Sequence, residues 1–113
     1  MAFSRLPTTP EPTPEAIEAM RGPAVLEFGT TWCGHCIAAQ PVVEAALTAR
    51  PGVLHVRVED GRGRRLGRAY RVKLWPTLVF LRDGIEQMRL IRPTDPDDIE
   101  TALARIDPAP GQE

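Results

Sequence analysis

The segment Ala24-Val25-Leu26-Glu27-Phe28 reads as a buried strand, and the residues from Ala38 to Arg50 read as a helix; between them lies Trp32-Cys33-Gly34-His35-Cys36. The motif therefore occupies a strand-to-helix turn, and its two cysteines are the only ones in the chain. If Cys33 opens the helix and Cys36 sits one turn in, the first sulfur faces solvent at the positive helix end and the second is shielded behind it. That terminus favours a thiolate on Cys33, the form that attacks a disulfide. In this context a Cys-x-x-Cys pair reads as a redox motif.

The flanking sequence supplies the rest of one α/β domain. A chain of 113 residues with 42% hydrophobic content holds one compact core. We divide it into an extended lead-in over 1–14, a domain over 15–107 and a tail over 108–113. Pro7, Pro10, Pro12 and Pro14 make the lead-in extended and mobile in expectation, and Pro108 and Pro110 mark the tail. Thr13 caps a short helix that has Pro14 at its first position and runs to about Met20. In the long helix Pro41 introduces a kink, because Val42, Val43, Ala46 and Leu47 continue the apolar face beyond it. Val53 to Val58 alternates Leu54, Val56 and Val58 with His55 and Arg57, a strand signal. A short helix follows over Arg62 to Tyr70. Asp83-Gly84 predicts a hairpin joining Thr77–Arg82 to Ile85–Ile91. Asp95 caps a last helix, with Pro96 at its first position and a buried stripe of Ile99, Ala102, Leu103 and Ile106. The expected sheet is mixed and central, with helices on both faces.

Composition excludes several function classes. Fourteen Lys and Arg against 15 Asp and Glu leave a formal charge of -1, so no global field draws nucleic acid or an anionic membrane. Arg62, Arg64, Arg65, Arg68, Arg71 and Lys73 form a local basic run, but only Tyr70 interleaves it; it reads as a solvated face or a dock for an acidic partner. No stretch approaches the roughly 20 apolar residues of a membrane span, and residues 1–14 carry no apolar signal core. A cytoplasmic address and a monomer are expected. Cys33, Cys36, His35 and His55 lack the second closely spaced pair of a structural zinc site, so no metal or other cofactor is expected.

Between Ala24 and Leu103 the chain resembles the thioredoxin family, on two anchors: Trp32-Cys33-Gly34-His35-Cys36 and Trp75-Pro76-Thr77. The resemblance implies the thioredoxin fold and dithiol-disulfide oxidoreductase activity. It also implies that Pro76 follows a cis peptide bond and packs beside the disulfide, where an open backbone edge meets an extended substrate. Cys33 and Cys36 become the redox disulfide, and Trp32, Gly34, Trp75, Pro76 and Thr77 the substrate rim. Protein disulfides or dithiols are the implied substrates, and a thioredoxin-reductase-like flavoprotein is the implied electron donor.

Departures from the family pattern bear on chemistry. His35 replaces the usual proline, as in protein disulfide isomerases; a cation there stabilises the Cys33 thiolate and makes the disulfide a better oxidant, unless His35 is simply a solvated helix residue. Glu27 stands where the family carries a buried acid, usually aspartate, beneath the second cysteine. It reads either as the proton acceptor for Cys36 or as an outward-facing strand residue. His55 aligns with a family lysine near that acid, so a charge-stabilised Glu27–His55 pair competes with a surface histidine. Trp75 replaces a smaller aliphatic residue, and Arg92-Pro93 replaces a groove glycine. Both alter the substrate rim, where they either narrow the groove and select partners with an apolar and an acidic contact or merely repack it. The sequence reading is thus a cytoplasmic reductant of protein disulfides, with a disulfide oxidase or isomerase and a redox-sensing binding module as alternatives.

Overall fold

The computed structural model describes Ser4 and residues 6–108; residues 1–3 and 5 of the lead-in and 109–113 of the tail lie outside the described residues. The elements follow in the order α1 (Pro14–Glu18), β1 (Pro23–Gly29), α2 (Gly34–Thr48), β2 (Leu54–Glu59), α3 (Arg65–Ala69), β3 (Thr77–Arg82), β4 (Ile85–Ile91) and α4 (Pro96–Ile106). The four strands form one sheet in the order β2-β1-β3-β4. β1 runs parallel to β2 and antiparallel to β3, and β3 pairs antiparallel with β4. The mixed sheet is as expected.

Its two faces carry separate cores. Val25, Leu78 and Phe80 pack with Val43 and Leu47 of α2 and with Ile99, Leu103 and Ile106 of α4. On the other face Leu26, Phe28, Val58, Val79 and Leu81 pack with Ile17 of α1 and Leu66 of α3. A strand in the middle of such a sheet has no outward side, which removes the reading of Glu27 as a solvent-facing residue. Glu27 registers with Leu78, on the α2 and α4 face, and is 2% exposed.

Element ends follow local chemistry. The hydroxyl of Thr13 accepts the N–H of Ala16 at the start of α1, and the carboxylate of Asp95 accepts that of Asp97 at the start of α4. α2 begins at Gly34 with Cys33 as its cap, so Cys33 does open the helix, and it continues through Pro41 without a break. α3 is shorter than the basic run suggests; Arg64 gives its start no side-chain cap. On β2 the alternation is misleading: Leu54 is 49% exposed, whereas His55 is buried. The lead-in explains this, since it crosses the edge of β2 with the Thr8 N–H donating to the Arg57 carbonyl at 2.7 Å. Among the described lead-in residues, Thr8 is thus bonded to the sheet edge.

The β3–β4 hairpin turns through Asp83 and Gly84 at φ 52° and 77°, the left-handed pair that a two-residue turn needs. Its tip packs on the end of α1, where a Cβ on Gly84 would lie 2.4 Å from the Glu18 carbonyl oxygen. Gly84→Ala should therefore lower stability by about 2 kcal/mol, read as a urea midpoint shift at constant slope. Gly52→Ala, where an added Cβ meets nothing within 4 Å, should change it by less than about 0.5 kcal/mol. Equal effects at the two sites would contradict this account of the turn.

Candidate active site

Cys33 is the N-cap of α2, with φ -76° and ψ 122°, and its sulfur accepts the N–H of Cys36 at 3.2 Å. The helix terminus thus delivers a backbone N–H donor to this sulfur. The expectation that Cys33 faces solvent needs correcting, since the residue is only 8% exposed. The extended cap conformation turns the sulfur back over the first helical turn. Both cysteines are unbonded thiols.

Cys36 occupies the deeper position. It is buried, and a Cβ added to Gly29 would lie 2.6 Å from its sulfur, so only glycine at the end of β1 admits it there. Burial pushes the Cys36 thiol up to about 12; the Cys33 side-chain hydrogen bond and the charges of Cys33 and Glu27 add to the rise, against the backbone N–H of Thr30. Glu27 is thus close enough for its charge to act on the thiol.

Glu27 and His55 do meet. Glu27 Oε1 lies 2.8 Å from His55 Nε2, with both side chains buried. The other ring nitrogen, Nδ1, accepts the Ser4 N–H at 2.7 Å. An accepting Nδ1 leaves the ring proton on Nε2, which then donates to Glu27. The expected Glu27–His55 pair is therefore formed, and its histidine is also held by the backbone of the lead-in.

The second anchor meets the first through two indoles. The Trp75-Pro76 peptide is cis. Trp75 stands edge-on to Trp32 with ring centroids 5.7 Å apart, and its Nε1 donates to Asp60 Oδ2 at 2.9 Å. Gly67 leaves room for that carboxylate, because a Cβ there would fall 2.1 Å from Asp60 Oδ1. Pro76 and Thr77 are buried, while Trp32 is 72% exposed. Arg92, at φ 51°, donates its backbone N–H to the Pro76 carbonyl at 2.9 Å and its Nε–H to the Trp75 carbonyl at 2.8 Å.

Two hollows flank this rim. His35, Ala38, Val42, Arg92 and Pro93 line a groove of about 300 Å3, whereas Trp75 faces another of about 310 Å3 with Arg64, Arg68 and Lys73. Arg92 and Trp75 therefore do not narrow one groove together, because Asp60 holds the indole on the α3 side. Gly34 is exposed at the first helical position. Sequence reasoning missed Asp60, Gly29 and Ser4. Asp60 directly follows β2, and an acid at a strand end is a signal that could have been matched to the half-buried indole N–H. Among the described residues no group of three or more His, Cys, Asp or Glu side chains could hold a metal ion.

The family model for Thioredoxin matches residues 6–105. The chain belongs to the thioredoxin family. Thioredoxin of Chlamydia trachomatis serovar D is 32% identical over 84 residues, covering 74% of this chain and 82% of that relative. Thioredoxin-1 of Caenorhabditis elegans is 33% identical over 60 residues, which is 53% of this chain and 52% of the relative's length. Thioredoxin 2 from Pseudomonas aeruginosa PAO1, solved in its reduced form, is similar with a TM-score of 0.79 and 46% identity, over 91% of this chain and 96% of that one. This thioredoxin-family chain is a thiol-disulfide oxidoreductase, and Cys33 and Cys36 fit the family's Cys-x-x-Cys site.

Folded Cys36 keeps its proton to about 12, whereas an unfolded thiol releases it above its ordinary 9.0. Between those values the unfolded chain binds fewer protons, so stability is complete below pH 9 and falls as the pH rises toward 12. The urea midpoint of the reduced protein should follow that course, with a shallower fall in Cys36→Ala. Tyr70, also raised by burial, contributes equally to both proteins and cancels. Identical slopes would contradict the burial argument.

Proposed function

We propose that this chain reduces disulfides of other proteins, with Cys33 attacking, Cys36 resolving and Glu27 accepting the Cys36 proton. One observation carries the assignment: the sulfurs are unequal. One caps a helix and accepts an N–H, while the other is sealed against Gly29 and held protonated to about 12 near a buried carboxylate.

In the first step the Cys33 thiolate attacks one sulfur of a substrate disulfide. That bond breaks, a Cys33–substrate disulfide forms, and the other substrate sulfur leaves as a thiolate that takes a proton from solvent. In the second step Cys36 gives its proton to Glu27 and its sulfur attacks the Cys33 sulfur. The mixed disulfide breaks, the Cys33–Cys36 bond forms, and the remaining substrate sulfur leaves as a thiolate. Two electrons have passed to the substrate, and the proton on Glu27 is then free to return to solvent. Substrate lies along Trp32, Gly34, Pro76 and Thr77, with His35 and Arg92 on the groove side and Trp75 behind Trp32.

A thioredoxin-reductase-like flavoprotein in the cytoplasm supplies the two electrons that restore the dithiol. This partner and this address rest on the family likeness; no helix among the described residues is long and apolar enough to cross a membrane. His35, lining the groove in the first turn of α2, favours a second reading in which the same steps run backward to oxidise dithiols.

Cys36→Ser should accumulate mixed disulfides through Cys33 and lose turnover in insulin reduction, while Cys33→Ser should trap none. Full turnover in Cys36→Ser would remove the dithiol mechanism. Glu27→Gln should slow resolution by about 10- to 100-fold in stopped-flow measurements and leave the first attack nearly unchanged. Slowing of both steps alike would count against Glu27 as the proton acceptor.

A further inference from the structure

The mechanism above uses Glu27 but leaves open what holds it, and the lead-in has no part in that mechanism. Both gaps meet at His55. Its registered neighbour on β1 is Val25, so His55, Val25 and Glu27 lie on the same face of the sheet. Residues in line on that face bring the ring within 2.8 Å of Glu27 Oε1, and β2 offers its other ring nitrogen to whatever covers the sheet edge. What covers it is backbone. The Ser4 N–H donates to Nδ1 at 2.7 Å, and four residues on the Thr8 N–H donates to the Arg57 carbonyl at the same distance.

A backbone N–H differs from a side chain as a partner for histidine. It donates and never accepts, and it has no proton to exchange at neutral pH. A ring nitrogen that accepts from it must stay unprotonated, so the remaining proton of the neutral ring is forced onto the opposite nitrogen. The other possible ring states lose this arrangement: an imidazolium or an Nδ1–H tautomer would set two N–H donors against each other at Ser4. The Nδ1–H tautomer would also present a bare Nε2 to the Glu27 carboxylate.

We infer that the amino-terminal strap is part of the catalytic centre: the Ser4 N–H locks His55 in its Nε2–H tautomer, and His55 thereby aims the Glu27 carboxylate at the resolving step. His55 is a positioning residue. It touches neither substrate nor the sulfurs, and it takes no proton itself; the Cys36 proton goes to Glu27, whose Oε1 keeps the His55 N–H bond before and after. The inference rests on the proposal that Glu27 is the proton acceptor.

The test is nitrogen-15 NMR of the His55 ring at neutral pH together with rapid kinetics of the two exchange steps. The wild-type protein should show a single neutral Nε2–H form. Ser4→Pro removes the N–H and should release a second tautomer while slowing resolution about tenfold, the size of effect that one neutral hydrogen bond can have; attack by Cys33 should change less than about twofold. Ser4→Ala keeps the N–H and should match the wild type in both readouts. An imidazolium or an Nδ1–H ring in the wild type would overturn the lock directly. So would a Ser4→Pro variant that shifts the tautomer without slowing resolution, or that slows both steps alike. Glu27→Gln separates this inference from the reading beneath it. If that variant resolves normally, the proton-acceptor role falls whatever the tautomer; if it resolves slowly while Ser4→Pro does not, only the strap's role falls.

Discussion

The sulfur of Cys36 rests against the α-carbon of Gly29, so closely that one added methyl group would lie 2.6 Å away. That contact sets the distance between the end of β1 and the first turn of α2. With Cys36 fixed there, Cys33 falls at the helix N-cap, where its sulfur receives the Cys36 N–H. One sulfur caps a helix and accepts an N–H while the other is sealed in the core, although they lie three residues apart. The inequality of the two sulfurs follows from packing. Neither cysteine needs an external activator to differ from the other.

The same packing creates a cost elsewhere. A carboxylate in the central strand of a sheet covered on both faces loses several kcal/mol of hydration, roughly, unless hydrogen bonds replace it. Glu27 receives one such bond from His55, and His55 in turn is satisfied by the backbone of the lead-in. The chain of contacts runs from a polar group needed near Cys36, through the neighbouring strand, to the amino-terminal residues. On the opposite side of the site Asp60 does comparable work for Trp75, and Gly67 leaves the space that Asp60 occupies.

The element order, the hairpin at Asp83-Gly84 and the stripe of α4 were all legible in the sequence, because each depends on local spacing and turn chemistry. The cysteine turn was legible for the same reason. Burial on β2 was not: alternation assumes one covered face, and the strap that buries His55 comes from residues 51 positions away in the chain. The Ser4 contact to the His55 ring was also out of reach, since it is made by a backbone N–H that no side-chain pattern encodes. The exposure expected for Cys33 failed because its sulfur turns back to accept the Cys36 N–H. Trp75 and Arg92 read as partners in one groove because they flank Pro76 in the family pattern. The Asp60 hydrogen bond that draws the indole toward α3 depends on the tertiary approach of a loop to the end of β2.

The central claim is that Cys33 and Cys36 form one reversible two-electron couple whose disulfide is a somewhat better oxidant than that of an ordinary thioredoxin, because His35 stands where proline usually does. Equilibration of the purified protein against glutathione redox buffers, with the free thiols counted at each ratio, measures this directly. The account predicts a single transition in which both thiols disappear together, with a midpoint between about -270 and about -180 mV. Two separate one-thiol transitions, glutathione left attached to Cys33 at equilibrium, or a midpoint below that range would contradict it.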